Sequence, residues 1–254
     1  MKSHLTVDDG LKHLSTMSAD PLLRNGWVFR CAEEMEQRIG ALPRDVLESF
    51  SALELDTYAL HSGLMRKRRI ARFAIEETSS TVVQLPHRPF LQAHRDNRLF
   101  GGLPRAFAPM EKEISSSFFL HALLIEDLRF LNKAIDKGEV WEAIVHQIRV
   151  FVSHGKSALP APEGRHRDGH DYLTVHLVDR NNVTGGNNLV FDGSSEKKPV
   201  FSCTLLNPLD TIVIDDARMT HDVSALRAID SKKPAWRSML LVDYNRKTRF
   251  EVFS

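Results

Sequence analysis

From about Glu139 onward the chain alternates short apolar runs with Gly, Asn and Pro, the pattern of strands separated by tight turns. The runs predict strands over His146 to Ser153, Tyr172 to Val178, Leu189 to Phe191, Val200 to Leu205, Thr211 to Ile214 and Ser238 to Asp243. Strands this short and this regularly punctuated indicate a double-sheet jelly roll, although strand count alone also permits another sandwich. The first half is mixed. Its pattern predicts a helix near Leu11 to Met17, a short strand over Trp27 to Arg30, and a helix from about Ala32 to Ile39 before a turn at Leu42-Pro43. Phe119, Leu120, Leu123, Leu124, Leu128, Leu131 and Ile135 recur at helical spacing, and Lys137-Gly138 supplies a cationic last turn and a stop. That segment reads as a long core-packing helix. The expected architecture is α+β with a mainly β core: one domain over residues 1–254, mixed and helical to 138, a cupin-like jelly roll from 139 to 254.

At 254 residues and 42% hydrophobic, the chain can bury one substantial core with an attached helical layer. Its 34 basic and 33 acidic residues nearly cancel, so neither nucleic acid nor an anionic membrane is favoured as a partner. The one basic cluster, Arg66-Lys67-Arg68-Arg69, reads as a solvated face or a strand. No segment resembles a signal peptide or a membrane helix, which points to a soluble, cytoplasmic protein. Cys31 and Cys203 are far apart in sequence and read as reduced core thiols.

The chemistry concentrates in His166-Arg167-Asp168, a later His221, and Arg237 at the start of a strand. On an extended segment residues two apart share a face, so His166 and Asp168 can grip one metal while Arg167 points away. With His221 brought from a separate strand, two neutral nitrogens and one carboxylate form a facial triad that leaves three metal positions open. A strand-borne guanidinium such as Arg237 suits bidentate capture of a dicarboxylate's far end. His-x-Asp alone is a weak signal, expected about once by chance in a chain of this composition. A second copy, His94-Arg95-Asp96, sits in a polar run and reads as a surface loop. The kinase His-Arg-Asp is set aside, because no phosphate-binding Gly-rich loop and no Asp-Phe-Gly accompany it.

Four further readings concern the surroundings of the triad. Gln147 and Arg149 alternate on a strand and are candidates to face the pocket and bind a carboxylate or amide; a sheet surface is the alternative. Tyr172, Thr174 and His176 share the parity of Asp168, which aims them inward if the strand is continuous, and His176 reads as a supporting or core histidine. Gly185-Gly186 permits a tight turn or close approach of a ligand to the main chain. Upstream, a Gly101-Gly102 turn precedes Arg105.

The ordered stretches "HRDGHDYLTVHLVDRNNVTGGNNLVF", "LNPLDTIVIDDARMTHDVSAL" and "AWRSMLLVDYN" resemble the bacterial iron(II)- and 2-oxoglutarate-dependent dioxygenases typified by L-isoleucine hydroxylase, a family that includes proteins named for biofilm and stress phenotypes. Weaker similarity extends upstream through "HQIR", "GGLPRAF" and "GWVF", and it implies that Arg105 and the Gly101-Gly102 turn form part of a substrate lid. The resemblance implies a double-stranded β-helix, with His166, Asp168 and His221 as iron ligands and Arg237 on the 2-oxoglutarate C5 carboxylate. It implies Fe(II) as cofactor and 2-oxoglutarate and O2 as co-substrates, with succinate and carbon dioxide released as a C–H bond is hydroxylated or a sulfur oxidised. The implied substrate is a free L-amino acid, met by Gln147, Arg149, Arg105 and Asn187. Asn187 departs from the pattern, since relatives often carry an acidic residue after the Gly-Gly pair. A larger peptide-linked or biosynthetic substrate, and a non-catalytic metabolite sensor, are the alternatives.

Overall fold

The computed structural model describes residues 20–60, 62–76, 80–132, 140–193 and 197–247. Its first half contains α1 (Asp20–Asn25), β1 (Trp27–Arg30), α2 (Ala32–Ile39), α3 (Arg44–Ser49), β2 (Glu54–Leu55), α4 (Thr57–Leu60), β3 (Arg66–Glu76), β4 (Thr81–Leu85), β5 (Ala108–Pro109), α5 (Lys112–Ser115) and α6 (Phe118–Leu131). Strands then follow: β6 (Val140–Phe151), β7 (Ser157–Ala158), β8 (Tyr172–Asn181), β9 (Val183–Gly185) and β10 (Asn188–Asp192). The last are β11 (Phe201–Cys203), β12 (Thr211–Asp215), β13 (Met219–Val223), β14 (Leu226–Ala228) and β15 (Trp236–Lys247). The expected helix at Leu11 to Met17 and the Lys137-Gly138 stop lie outside the described residues.

One nine-stranded sheet runs β1-β12-β8-β15-β6-β3-β2, with β4 and β5 joined to β3. Two three-stranded sheets, β11-β10-β13 and β7-β14-β9, form the facing layer. Antiparallel pairing dominates, as a jelly roll requires. The large sheet takes strands from both sides of residue 138. Its centre is the full-length pairing of β6 with β15, from Val140↔Lys247 to Phe151↔Trp236.

Both faces of this sheet are covered, and the two faces do different things. The outer face presents Trp141, Ala143, Val145, Val213, Leu240, Val242 and Tyr244, packed with Leu120, Leu123, Leu124 and Leu128 of α6. Ser117 caps α6, its Oγ accepting from the Leu120 amide at 3.3 Å. The inner face presents Leu173, Val175, Leu177, Ile212, Ile214 and Met239 against Val190 and Met219 of the small sheet. Strands covered on both sides read as nearly continuous apolar runs, which is why β6 and β8 carry little alternation.

That arrangement corrects the parity expected for β8. Tyr172 packs in the outer core, and Thr174 and His176 bond outward to α6, whose Asp127 Oδ2 accepts from Thr174 Oγ1 at 2.8 Å and lies 3.0 Å from His176 Nε2. His176 Nδ1 is 2.8 Å from Thr211 Oγ1, so it is a satisfied core histidine. The chain between Asp168 and β8 is not a strand: Gly169 sits at φ 87°, and the Gly169 and His170 amides turn inward to Asp216. The basic cluster opens β3, and its alternate members Arg66 and Arg68 are buried rather than solvated. Among the described residues no helix is long and apolar enough to cross a membrane.

Candidate metal centre

His166 and His221 lie on neighbouring extended segments joined by a two-way backbone bridge, His166 N to His221 O at 3.0 Å and His221 N to His166 O at 2.9 Å. His221 is on β13, whose pairing with β10 fixes it opposite Val190. Asp168 follows two residues after His166, so the short extended step brings its carboxylate to the same side. The resulting ligand atoms of His166, Asp168 and His221 all lie within 4.8 Å of one another. His166 Nε2 is 3.5 Å from Asp168 Oδ1, and His221 Nε2 is 3.5 Å from Asp168 Oδ2.

His166 and Asp168 are each oriented by a hydrogen bond from behind. His166 Nδ1 lies 2.7 Å from the Gly164 carbonyl, which can only accept, so Nδ1 carries the proton and Nε2 presents its lone pair to the site. Asp216, fully buried, accepts from the amides of Asp168, Gly169 and His170 at 3.1, 2.7 and 3.0 Å. It thereby fixes the loop that carries the ligand carboxylate, and its Oδ1 stands 3.6 Å from His221 Nδ1. Gln92 donates to Asp168 Oδ1 at 3.0 Å from the opposite side.

The electrostatics favour a cation. Burial works against charge on His166, but its bond to Asp168 and the nearby Glu163 outweigh it and bring its pKa up to about 9. Burial likewise opposes the Asp168 carboxylate, yet the two histidines hold it well below the usual range. A field that retains a proton between these groups also retains a divalent metal in its place, so the donor set of two imidazoles and one carboxylate fits a facial triad.

The triad opens on a cavity between the two layers, lined from the large sheet by Arg66, Arg68, His146, Ile148, Arg237, Met239 and Asp243. Arg237 is buried, and among the described residues it donates only a long 3.3 Å bond to Asn188 Oδ1 and its buried Nε has no partner. Burial, then the neighbouring Arg180, push its pKa down to about 10, which leaves it charged at neutral pH. Gly186 is required here: it sits at φ 70°, and a Cβ would come within 3.4 Å of Arg237 Cδ and 2.7 Å of Leu226 Cδ2.

Of the residues expected to meet a substrate, Arg105 lines the cavity and the other three do not. Gln147 and Arg149 follow the parity of Trp141, Ala143 and Val145 and face the helical layer, where Gln147 donates to Ser49 Oγ at 2.9 Å and Arg149 to Ser238 Oγ at 2.7 Å. Arg149 also stacks on Phe50 and Trp236. Asn187 closes a turn of the small sheet, donating to Ser202 Oγ at 2.7 Å; its neighbour Asn188 lines the cavity instead. The second His-Arg-Asp is a surface loop, but one that lies on the site: Gln92 reaches Asp168, Asn97 reaches Glu163, and a Cβ on Gly169 would meet Asp96 Oδ2 at 2.6 Å.

Sequence reading missed Gln92, Asp216, Arg68, His146 and Asp243. Arg68 Nη2 donates to His146 Nδ1 at 2.6 Å, so His146 carries its proton on Nε2 and donates to Asp243 Oδ2 at 2.9 Å. Burial and then Arg68 keep His146 neutral, its pKa well below the ordinary value. Burial pushes the Asp243 carboxyl up to about 7, against the pull of His170.

A family model described as 2OG-Fe dioxygenase matches residues 47–243, a span that contains all three triad residues and Arg237. The L-isoleucine-4-hydroxylase of Bacillus thuringiensis is 26% identical over 204 residues, 76% of this chain and 82% of that protein. Among solved structures, a bsmA homolog from Methylobium petroleophilum PM1 superposes with a TM-score of 0.78 at 27% identity, covering 90% of this chain and 91% of that one. The structure of IDO from Bacillus thuringiensis gives 0.73 at 21% identity over 91% and 98%.

Proposed function

The chain belongs to the 2OG-Fe dioxygenase family, and from that premise we propose that it hydroxylates, or oxidises at sulfur, a free L-amino acid. As a member of that family it is an oxidoreductase using Fe(II), 2-oxoglutarate and O2. In this reading His166, Asp168 and His221 hold the iron, and Arg237 holds the distal carboxylate of 2-oxoglutarate. The observation that carries the assignment is a triad with converging donor atoms beside a buried guanidinium that lacks an anionic partner. Bound iron, 2-oxoglutarate and dioxygen supply the oxidising power, with succinate and carbon dioxide released.

The protein's own part is position and exclusion of water. Gly164 and Gln92 orient His166 and Asp168, Asp216 fixes their loop, and Leu173, Val175 and Ile212 give the cavity an apolar wall suited to an aliphatic side chain. The amino-acid substrate draws on the hydroxylase relative and on the paired positive and negative groups of the cavity, Arg68, Arg105 and Glu163.

The test is anaerobic reconstitution with iron(II), followed on admitting oxygen by measurement of succinate across free L-amino acids, with Leu, Ile and Met first, beside their N-acylated and amidated forms. Free forms are expected to stimulate succinate release most. Preference for capped amino acids or peptides favours the larger-substrate reading, which draws on a polar groove with Arg95, Arg98 and Arg167 that shares Glu163 and His166 with the cavity.

A further inference from the structure

Three arginines line one side of the cavity, and only one of them has a carboxylate of its own. Arg66 Nε donates to buried Asp56 at 2.7 Å. Arg68 bonds neutral His146, and Arg105 bonds the neutral amide oxygen of Gln92. Both guanidiniums are buried, and among the described residues the Nε of each has no partner. They stack on the same two rings: Arg68 lies 4.3 Å from Phe107 and 5.4 Å from Phe90, and Arg105 lies 5.0 Å from Phe90 and 5.5 Å from Phe107. Aromatic faces position a guanidinium but do not neutralise it. Burial and the mutual repulsion of these arginines lower the pKa of Arg68 to about 9 and depress that of Arg105. Two buried cations without counter-ions are costly to fold, and an anion from outside relieves the cost.

The remaining charged groups facing this side are Glu163, Asp243 and Asp168. Asp243 is engaged by His146, and Asp168 by the triad and Gln92. Among the described residues Glu163 Oε2 is buried without a partner, while its Oε1 lies 3.5 Å from Asn97 Nδ2 and 3.7 Å from His166 Nε2.

We propose that Arg68 and Arg105 clamp the carboxylate of the primary substrate, with Glu163 receiving its ammonium. The inference rests on the amino-acid reading and assigns that substrate's head group to residues other than Gln147, Arg149 and Asn187. It is a different carboxylate from the one at Arg237. Arg68 is on β3 and Arg237 on β15, with β6 between them, a lateral separation of roughly 10 Å at ordinary strand spacing. Arg105, Gln92 and Asp168 form one hydrogen-bonded chain, so a single glutamine side chain separates the clamp from the triad. The oxidised atom therefore lies only a few bonds from the substrate's carboxylate.

The test is calorimetric titration of oxygen-free protein, loaded with iron(II) and saturated with 2-oxoglutarate, using isovalerate, isopentylamine and L-leucine as probes. In the unaltered protein isovalerate is expected to bind at least about 10-fold more tightly than isopentylamine. Arg68→Met and Arg105→Met should each weaken isovalerate by about 10-fold or more while leaving the separately titrated 2-oxoglutarate affinity within about 2-fold. Glu163→Gln should weaken L-leucine and spare isovalerate. Equal binding of the acid and the amine by unaltered protein overturns the clamp, and that comparison stands even where a variant does not fold. Unchanged isovalerate affinity in both folded arginine variants overturns it as well. Tight, arginine-dependent isovalerate binding in a protein that turns over no free amino acid keeps the clamp and removes the amino-acid reading. Turnover of an amino acid with unaltered KM in both variants removes the clamp alone.

Discussion

Replacing Arg237 by methionine removes a buried guanidinium while keeping most of the side chain's volume. Among the described residues that guanidinium makes one 3.3 Å bond, to Asn188 Oδ1, and its Nε bonds nothing. The fold therefore loses little: one weak neutral hydrogen bond is worth about 1 kcal/mol, offset by no longer burying a charge, so Tm should move by less than about 4 °C. The co-substrate loses much more. Deleting one member of a buried, hydrogen-bonded charge pair costs about 2–5 kcal/mol, and at about 1.4 kcal/mol per tenfold the 2-oxoglutarate Kd should rise roughly 30-fold to a few thousand-fold. Arg237→Lys should recover part of this, since it restores charge without the planar fork. The assay is anaerobic calorimetry with 2-oxoglutarate on iron-loaded protein, alongside metal affinity and a thermal melt. Metal affinity is expected to stay within a few-fold of the unaltered protein. Unchanged 2-oxoglutarate affinity in a folded Arg237→Met would refute the reasoning and shift the carboxylate to Arg66, Arg68 or Arg105, not to Arg149, which faces the other side of the sheet.

Other outcomes follow from the same geometry. His166→Ala, Asp168→Ala and His221→Ala should each abolish succinate formation and iron retention on desalting; full activity in any one would remove that residue from the triad. Gln92→Leu takes away the 3.0 Å bond to Asp168 Oδ1 and should weaken metal binding by about 10–100-fold, read by competition with a chelating dye. Asp127→Ala breaks bonds to Thr174, His176 and Tyr244 that tie α6 to the sheet, at a cost of about 3–5 kcal/mol. Burial opposes the Asp127 charge, but His176, Arg30 and Thr174 hold its pKa below the ordinary value. Its stabilisation is therefore complete above the unfolded carboxylate value of ~3.9 and is lost as pH falls below that. Urea melts should show the variant's deficit constant from pH 7 to about pH 4 and shrinking only below that, and a deficit that stays unchanged below about pH 4 would assign the cost to packing.

The strands over Trp27 to Arg30 and Thr211 to Ile214, the helix over Ala32 to Ile39 and the helix beginning near Phe119 were legible because each carries its own periodicity or stop signal within a dozen residues. The basic cluster of β3 was legible as a solvated face or a strand, and it is a strand, but four consecutive basic residues hide its alternation: Arg66 and Arg68 are buried by Asp56, His146 and aromatic rings that come from elsewhere in the chain. The run over residues 92–98 was legible as a surface loop, and the Gly101-Gly102 turn with Arg105 as a candidate lid, but not the bond from Gln92 to the triad. Gln92 has no sequence neighbour that marks it, and only the fold brings it to Asp168.

Substrate recognition depended on a harder question, namely which face of a doubly covered strand looks into the cavity. Alternation cannot answer it, since β6 puts apolar residues on both faces and polar residues on both faces too. Helix α6 answers it by packing on Trp141, Ala143 and Val145 and so turning Gln147 and Arg149 outward. Gly169 and Asp216 answer it for β8 by bending the chain out of strand geometry after Asp168, so that parity counted from the metal ligands does not carry to Thr174. The triad escapes this ambiguity because His166 and Asp168 are two residues apart on one unbroken extended segment. Pairing register resolves the rest. Arg68 stands opposite Ile148, and His146 opposite Leu241, in rows that line the cavity. Read row by row across the sheet, the polar groups facing the cavity include Arg68 and His146, each a near neighbour of the residues that strand alternation alone had nominated.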